Sequence, residues 1–291
     1  EWVELGGYAF LVFLSLGEVA ATLQWYPAVR LSAGRILNVL DAQTSVLPGE
    51  KTQGREVGTL EFQRVSFAYP GEKHSVVQDI SFRVEPGQTV AIVGASDSGK
   101  SALAELAARL YDPAEGRICV DGLELREYAF ETLYNKLSYV PQRAALFSGS
   151  VRSNVFFGES EIIHREEDLK AVLMEIPGEI LPERVDESGE TLSDGQRQRL
   201  GIARALARRP EILILNDCFE GLDIPTCRGL LEGLDQTTVL LITQQTGLAR
   251  MADHIVVLEQ GKLVGQGTHE QLVKDCPAYR ALLPDGQEAE Q

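Results

Sequence analysis

The chain has 291 residues, 44% of them hydrophobic and 24% charged, an ordinary globular composition that excludes disorder and collagen-like repeats. Twenty-seven Lys and Arg against 43 Asp and Glu leave a net charge of −16, the wrong sign for tracking a phosphate backbone, so no nucleic-acid partner is expected. The four cysteines, Cys119, Cys218, Cys227 and Cys276, form no C-x-x-C pair; neither a disulfide framework nor a zinc site is indicated, and a reducing cytosolic face is expected.

The first apolar run, residues 6–17 (GGYAFLVFLSLG), lies between Glu4 and Glu18. It falls short of the about 20 apolar residues that cross a bilayer, and no basic residue precedes it as in a signal peptide. Two readings stay open: a truncated transmembrane helix, or an amphipathic helix docked on a partner. From Val19 to Leu40 the apolar residues recur at mixed three- and four-residue intervals, which predicts continued helix through Pro27. Residues 41–58 are polar, with Pro48 and three glycines, and read as a linker. The expected organisation is therefore 1–40 helical, 41–58 linker, 59–285 a folded domain and 286–291 a tail.

Within 59–285 short β-rich runs (TLEFQRVSF, TVAIVG, RICV, LSYV, ILILN, TTVLLIT, HIVVLE) alternate with helical stretches from Lys100 and Gln196. That alternation predicts an α/β fold with a largely parallel sheet, and the continuous apolar runs 212–215 and 239–242 suit strands buried on both faces. The sharpest motif is Gly94-Ala95-Ser96-Asp97-Ser98-Gly99-Lys100-Ser101, a G-x-x-x-x-G-K-[ST] loop directly after one strand and before a helix. Such a loop aims backbone N–H groups and a helix N-terminus at an anion; Lys100 supplies a point charge for the β- and γ-phosphates, and the Ser101 hydroxyl a ligand for Mg²⁺.

About ninety residues on, Leu192-Ser193-Asp194-Gly195-Gln196-Arg197-Gln198-Arg199 resembles the L-S-G-G-Q signature of ABC transporters. Together the two motifs give residues 59–285 a resemblance to the ATP-binding domain of that family. The resemblance implies a P-loop α/β ATP-binding core with an antiparallel β layer and an inserted helical subdomain. Tyr69 in FAYP sits where the family stacks an aromatic on adenine, although an aromatic at a strand end is also an ordinary packing residue. Gln142 in YVPQ matches the glutamine that contacts the Mg²⁺ and attacking-water region. ALFSGSVRSNV and Glu187-Ser188-Gly189 resemble the exporter branch. The acidic stretch 159–190 reads as the solvated face of the helical subdomain.

Leu222-Asp223 resembles the family's D-loop, which places Asn216 and Asp217 at its catalytic D-E pair. Asn216 is isosteric with aspartate but neutral, and Asp217 carries the carboxylate on a stem one methylene shorter. Gln244 stands at the switch histidine; it can donate a hydrogen bond but cannot carry an imidazolium charge. Asp97 and Asp194 replace glycines beside phosphate-binding loops, where positive φ is expected to be needed. His74, His164, His254 and His269 read as surface or capping residues.

The resemblance thus implies ATP and Mg²⁺ as cofactors, held by Tyr69, Gly94, Ser96, Asp97, Ser98, Gly99, Lys100, Ser101, Ala102 and Asn216. Ser101 and Gln142 act on the metal, and Gln142, Asp217 and Gln244 on the chemistry. Ser193, Asp194, Gly195 and Gln196 face the nucleotide of a second ATP-binding domain. The expected protein is a membrane exporter subunit with its ATPase on the cytoplasmic face and its transmembrane domain upstream, residues 1–40 being the last helix. Its own site is expected to hydrolyse poorly and to be paired with a competent half. The alternatives are a fully active homodimeric half-transporter and a soluble scaffold, the latter opposed by the apolar N-terminus.

Overall fold

The computed structural model describes the chain except residues 1, 42–43, 53, 55–56, 73, 158–172, 174–180, 183, 187–190, 220, 235 and 284–291. His164, the Glu187-Ser188-Gly189 segment, the 286–291 tail and most of the acidic stretch lie outside the described residues. The chain divides after Ser45 into two units.

The first unit is one α-helix, α1 (Trp2–Leu40), continuous through Pro27. Its large apolar side chains are exposed, and they are spread round the circumference rather than gathered in a stripe. This counts against the amphipathic reading, which needs an apolar face opposite a polar one. By length and composition α1 can cross a membrane.

The second unit begins at Val46, inside the segment expected to be linker. Gly49 N–H donates to Tyr128 O at 2.9 Å and Lys51 N–H to Glu127 O at 2.9 Å. The buried Arg109 guanidinium donates to the carbonyls of Leu47, Tyr128 and Arg126. Those bonds satisfy backbone groups that a free linker would leave to water.

Two sheets build this unit. Strands β1 (Leu60–Phe67), β2 (Val77–Val84), β4 (Glu115–Val120) and β5 (Leu123–Glu124) pair antiparallel in the order β2-β1-β4-β5. Strands β3 (Thr89–Val93), β6 (Leu137–Val140), β9 (Ile212–Asn216), β10 (Thr238–Ile242), β11 (His254–Glu259) and β12 (Lys262–Gly267) form the second, in the order β12-β11-β3-β10-β9-β6. All its neighbours are parallel except β11 and β12. A third ribbon joins β7 (Gly149–Ser150) to β8 (Arg184–Val185).

The strand period of two sorts the central residues between two cores. Val90, Ile92, Ile212, Ile214, Leu240 and Ile242 pack with the antiparallel sheet and with α2 (Lys100–Ala107). Ala91, Val93, Leu213, Leu215, Val239 and Leu241 pack on the other side, against Leu200, Ile202, Ala203 and Leu206 of a 14-residue helix, Asp194–Ala207. A strand buried on both faces has no polar side to show, which is why these runs are uninterrupted apolar sequence.

The fully buried Asp121 joins the layers. Its carboxylate accepts the Thr59 N–H at 3.1 Å and the Lys136 ammonium at 2.9 Å, and Lys136 also bonds Glu211 at 2.7 Å. Lys136→Met removes the cation and leaves a buried carboxylate with one donor. It is expected to destabilise the second unit by about 3 kcal/mol, read as a lowered urea midpoint, with Glu211→Gln costing far less because that carboxylate is more exposed.

Candidate functional site

Because β3, β6, β9 and β10 are parallel, their carboxyl ends share one edge of the sheet, the edge where ligands bind in open α/β folds. The residues leaving that edge are Gly94 after β3, Gln142 after β6, Asp217 after β9 and Gln244 after β10. Topology alone therefore brings the phosphate loop and the three candidate catalytic residues together.

The loop 94–99 turns back sharply into α2. Gly99 has φ +97°, and a Cβ there would stand 2.7 Å from Val77 Cγ1 and 2.8 Å from Val76 O, so only glycine is accommodated. Behind the loop, Gly261 N–H donates to Ser98 O at 3.1 Å. In front, among the described residues, the N–H groups of Ser96, Asp97 and Gly99 meet no protein acceptor, and those of Lys100 and Ser101 open the first turn of α2, where no intrahelical partner exists. These amides form a concave donor set for an anion.

Lys100 is buried within this loop. Its Nζ donates to Gly94 O at 2.9 Å, Ala95 O at 2.7 Å and Ser98 Oγ at 3.4 Å. Burial pulls its pKa below the ordinary lysine value, against the opposing pull of the Asp217 and Asp97 carboxylates. Asp97 has φ +61°, so the left-handed geometry expected of the loop is real and is carried by a residue that tolerates it better than most.

A cavity of about 690 Å³ is lined by Tyr69, Ser96, Asp97, Ser98, Gly99, Lys100, Ser101, Ala102, Gln142, Asp217 and Gln244, together with Glu72, Ser75, Val76 and Gln260. Gln142, Asp217 and Gln244 also line an adjoining cavity of about 180 Å³ and so stand where the two meet. Asp217 Oδ1 accepts the Gln244 N–H at 3.2 Å, which engages one oxygen of the candidate catalytic carboxylate. Asn216 is buried beneath, its Nδ2 donating to the Tyr139 hydroxyl at 3.1 Å, while its Oδ1 has no donor among the described residues. Gly94 contributes its carbonyl to Lys100 rather than a lining surface. Ser193, Asp194, Gly195 and Gln196 do not line the cavity.

Residues 77–220 match the ABC transporter family. An uncharacterized ABC transporter ATP-binding protein of Mycobacterium tuberculosis is 37% identical over 287 residues, covering 94% of this chain and 49% of the relative. An ATP-dependent lipid A-core flippase of Pseudomonas fluorescens is 37% identical over 300 residues, covering 99% of this chain and 49% of the relative. A bacterial Atm1-family ABC exporter solved with ATP bound superposes with a TM-score of 0.77 at 28% identity, over 87% of this chain and 46% of that one. The second unit is an ABC transporter ATP-binding domain. The chain spans about half the length of the curated relatives it matches.

In this ABC domain the signature forms a helix start. Ser193 is the N-cap, its Oγ accepting the Gln196 N–H at 3.1 Å while Gln196 Oε1 accepts the Ser193 N–H at 3.0 Å. That capping box starts the helix at Asp194, two residues before the expected Gln196. Asp194 is therefore not the strained loop residue expected from its glycine counterpart. It sits in the first helical turn, where a carboxylate is favoured by the helix dipole. A Cβ on Gly195 would lie 2.8 Å from Gly221 O, so the D-loop packs directly on the signature. Asp223 accepts the Thr226 hydroxyl at 2.6 Å and caps the next helix, Ile224–Glu232; that hydrogen bond holds its carboxyl below the usual range. His269 is not a cap either: Thr268 fills that position, and His269 Nδ1 bonds the buried Tyr279 hydroxyl at 2.8 Å.

Two contributions escape a motif reading. Gln198 donates its side-chain amide to Gln142 O, tying the backbone after β6 to the signature helix. Tyr139 supports Asn216 from the neighbouring strand. Both are long-range pairs, though the Q-x-Q spacing of Gln196 and Gln198 offers a faint signal for the first. Lys100→Met keeps the stem and removes the charge. It is expected to weaken Mg²⁺-nucleotide binding by about a hundredfold, checked by calorimetry on the folded variant.

Proposed function

We propose that this chain is the ATP-binding part of an ABC exporter whose own site holds MgATP but turns it over slowly, and that it works against a second ABC ATP-binding domain with a complete catalytic set. The observation that carries the nucleotide reading is the amide cradle around Lys100 at the carboxyl edge of the parallel sheet. The exporter reading rests on similarity to exporters along nearly the whole chain. The helix α1, at about 1.5 Å per residue, is nearly twice as long as a bilayer core of about 30 Å is thick. It serves as the membrane-crossing end of a transmembrane domain and carries on toward the cytoplasm.

The residues present fit a magnesium ion. Ser101 and Gln142 line the cavity beside Lys100 and Asp217, whereas Asn216 is buried beneath it, lines neither cavity, and has no donor to its Oδ1 among the described residues. Bound there, the ion would neutralise charge on the terminal phosphates. Around it this chain's own groups position ATP well and water poorly. The amides and Lys100 bind the phosphates, and Tyr69 presents an aromatic surface. Asn216 adds no charge to favour a dication. The short Asp217 stem is drawn toward the Gln244 amide, and Gln244 has no imidazole to share a proton. The signature, with Asp194 in its first turn, stays outside the cavity and is presented to the second domain's nucleotide.

The test is hydrolysis by the purified protein and by the triple variant Asn216→Asp, Asp217→Glu, Gln244→His. The parent is expected to bind ATP in magnesium buffer with little turnover, and the variant to hydrolyse about a hundredfold faster. A parent that already turns over at about 10 per second would instead make it an active homodimeric half.

A further inference from the structure

The aromatic end of the cavity is held by a residue outside every motif. Tyr69 follows β1, and its hydroxyl donates to Glu105 Oε2 at 2.8 Å. Glu105 lies on α2, the same short helix that begins with Lys100. Two further rings fix the tyrosine plane: Phe67 edge-on at 5.0 Å and 76°, and Tyr111 edge-on at 5.4 Å and 85°. Tyr69 lines the cavity with Lys100 and Ser101.

We propose that Glu105 is a positioning residue for nucleotide binding: by accepting the Tyr69 hydroxyl from the phosphate-loop helix, it sets the distance between the base-stacking ring and the phosphate cradle. This rests on the reading above that the cavity takes a nucleotide. Four residues of helix lie between Lys100 and Glu105, so phosphate-binding charge and ring anchor belong to one rigid element, while Tyr69 follows a strand of the other sheet. Without the hydrogen bond the ring keeps only its T-shaped contacts with Phe67 and Tyr111. An ionised carboxylate accepts more strongly than a neutral group, and burial together with Glu105 pushes the Tyr69 hydroxyl's pKa well up, which keeps it a donor. Stacking on tyrosine distinguishes bases weakly, so Glu105 governs the order of the platform rather than the choice of purine.

The experiment measures affinities of the full chain for MgATP, MgGTP and magnesium tripolyphosphate in the parent and in Glu105→Leu, Glu105→Gln, Tyr69→Phe and the Glu105→Leu/Tyr69→Phe pair. Loss of one charge-assisted hydrogen bond is expected to weaken both nucleotides about fivefold in Glu105→Leu, with tripolyphosphate unchanged. Tyr69→Phe is expected to match it, the pair to add nothing further, and Glu105→Gln, which keeps an acceptor, to recover most of the loss. Parent-like nucleotide binding by Glu105→Leu overturns the proposal, as does an equal loss for tripolyphosphate, which would make Glu105 a general support of the loop. If the parent itself binds no nucleotide, the underlying reading fails instead. Should Glu105→Leu not fold, the Tyr69→Phe and Glu105→Gln comparison decides on the same criterion.

Discussion

Lys100 is an ammonium held inside a ring of its own loop's carbonyls, and the site is organised around that placement. Burial works against that charge and lowers the lysine pKa, while two carbonyls within 3 Å and the nearby carboxylates of Asp97 and Asp217 act in its favour. The geometry leaves little freedom. Gly99 must turn with positive φ between Val76 and Val77, and a Cβ on Gly261 would stand 2.4 Å from Val76 O. The amides that face the cavity are thus preorganised before any ligand arrives, the condition under which electrostatic recognition costs least reorganisation.

Charge around the cradle is distributed in an unusual balance. Asp97 puts a carboxylate on the rim, and Asp217 puts one at the junction of the two cavities. Asn216, where a carboxylate would serve the metal, is neutral. On the proposed MgATP reading, negative charge is present where it would oppose the phosphates and absent where it would assist magnesium. Hydrogen bonding is uneven in the same way: Asp217 accepts from Gln244, while Asn216 Oδ1 has no donor among the described residues. Under the proposed reading the amides and Lys100 act on the ground state and the three substituted positions on the attacking water, so binding and turnover would be separable.

Much of this was legible in residue order. The central strands announced themselves because parallel strands buried on both faces require continuous apolar sequence, and the phosphate loop because its glycines answer a steric demand. Strand β2 escaped notice: Asp79 at φ +49° breaks its alternation. Strand β12 is a Gly-containing edge strand with little apolar signal. The attachment of Leu47, Gly49 and Lys51 to the second unit rests on Arg109, Tyr128 and Glu127, far along the chain, and composition reports polarity rather than partners. Asp194 reads as strained from its glycine counterpart alone, whereas the Ser193–Gln196 capping box makes it a helix start. Glu105 could not be found in sequence at all, since its meaning depends on Tyr69 reaching α2 from the other sheet.

Hydrogen exchange of the backbone amides from Ser96 to Ser101, with and without saturating MgATP, probes the cradle most directly. Donors that face the cavity and lack protein acceptors should exchange readily in the free protein and slow markedly when phosphate oxygens engage them, with the buried strands β9 and β10 unchanged. Exchange in this loop that is indifferent to MgATP, in a protein whose β9 and β10 amides remain protected, would contradict the account at its base.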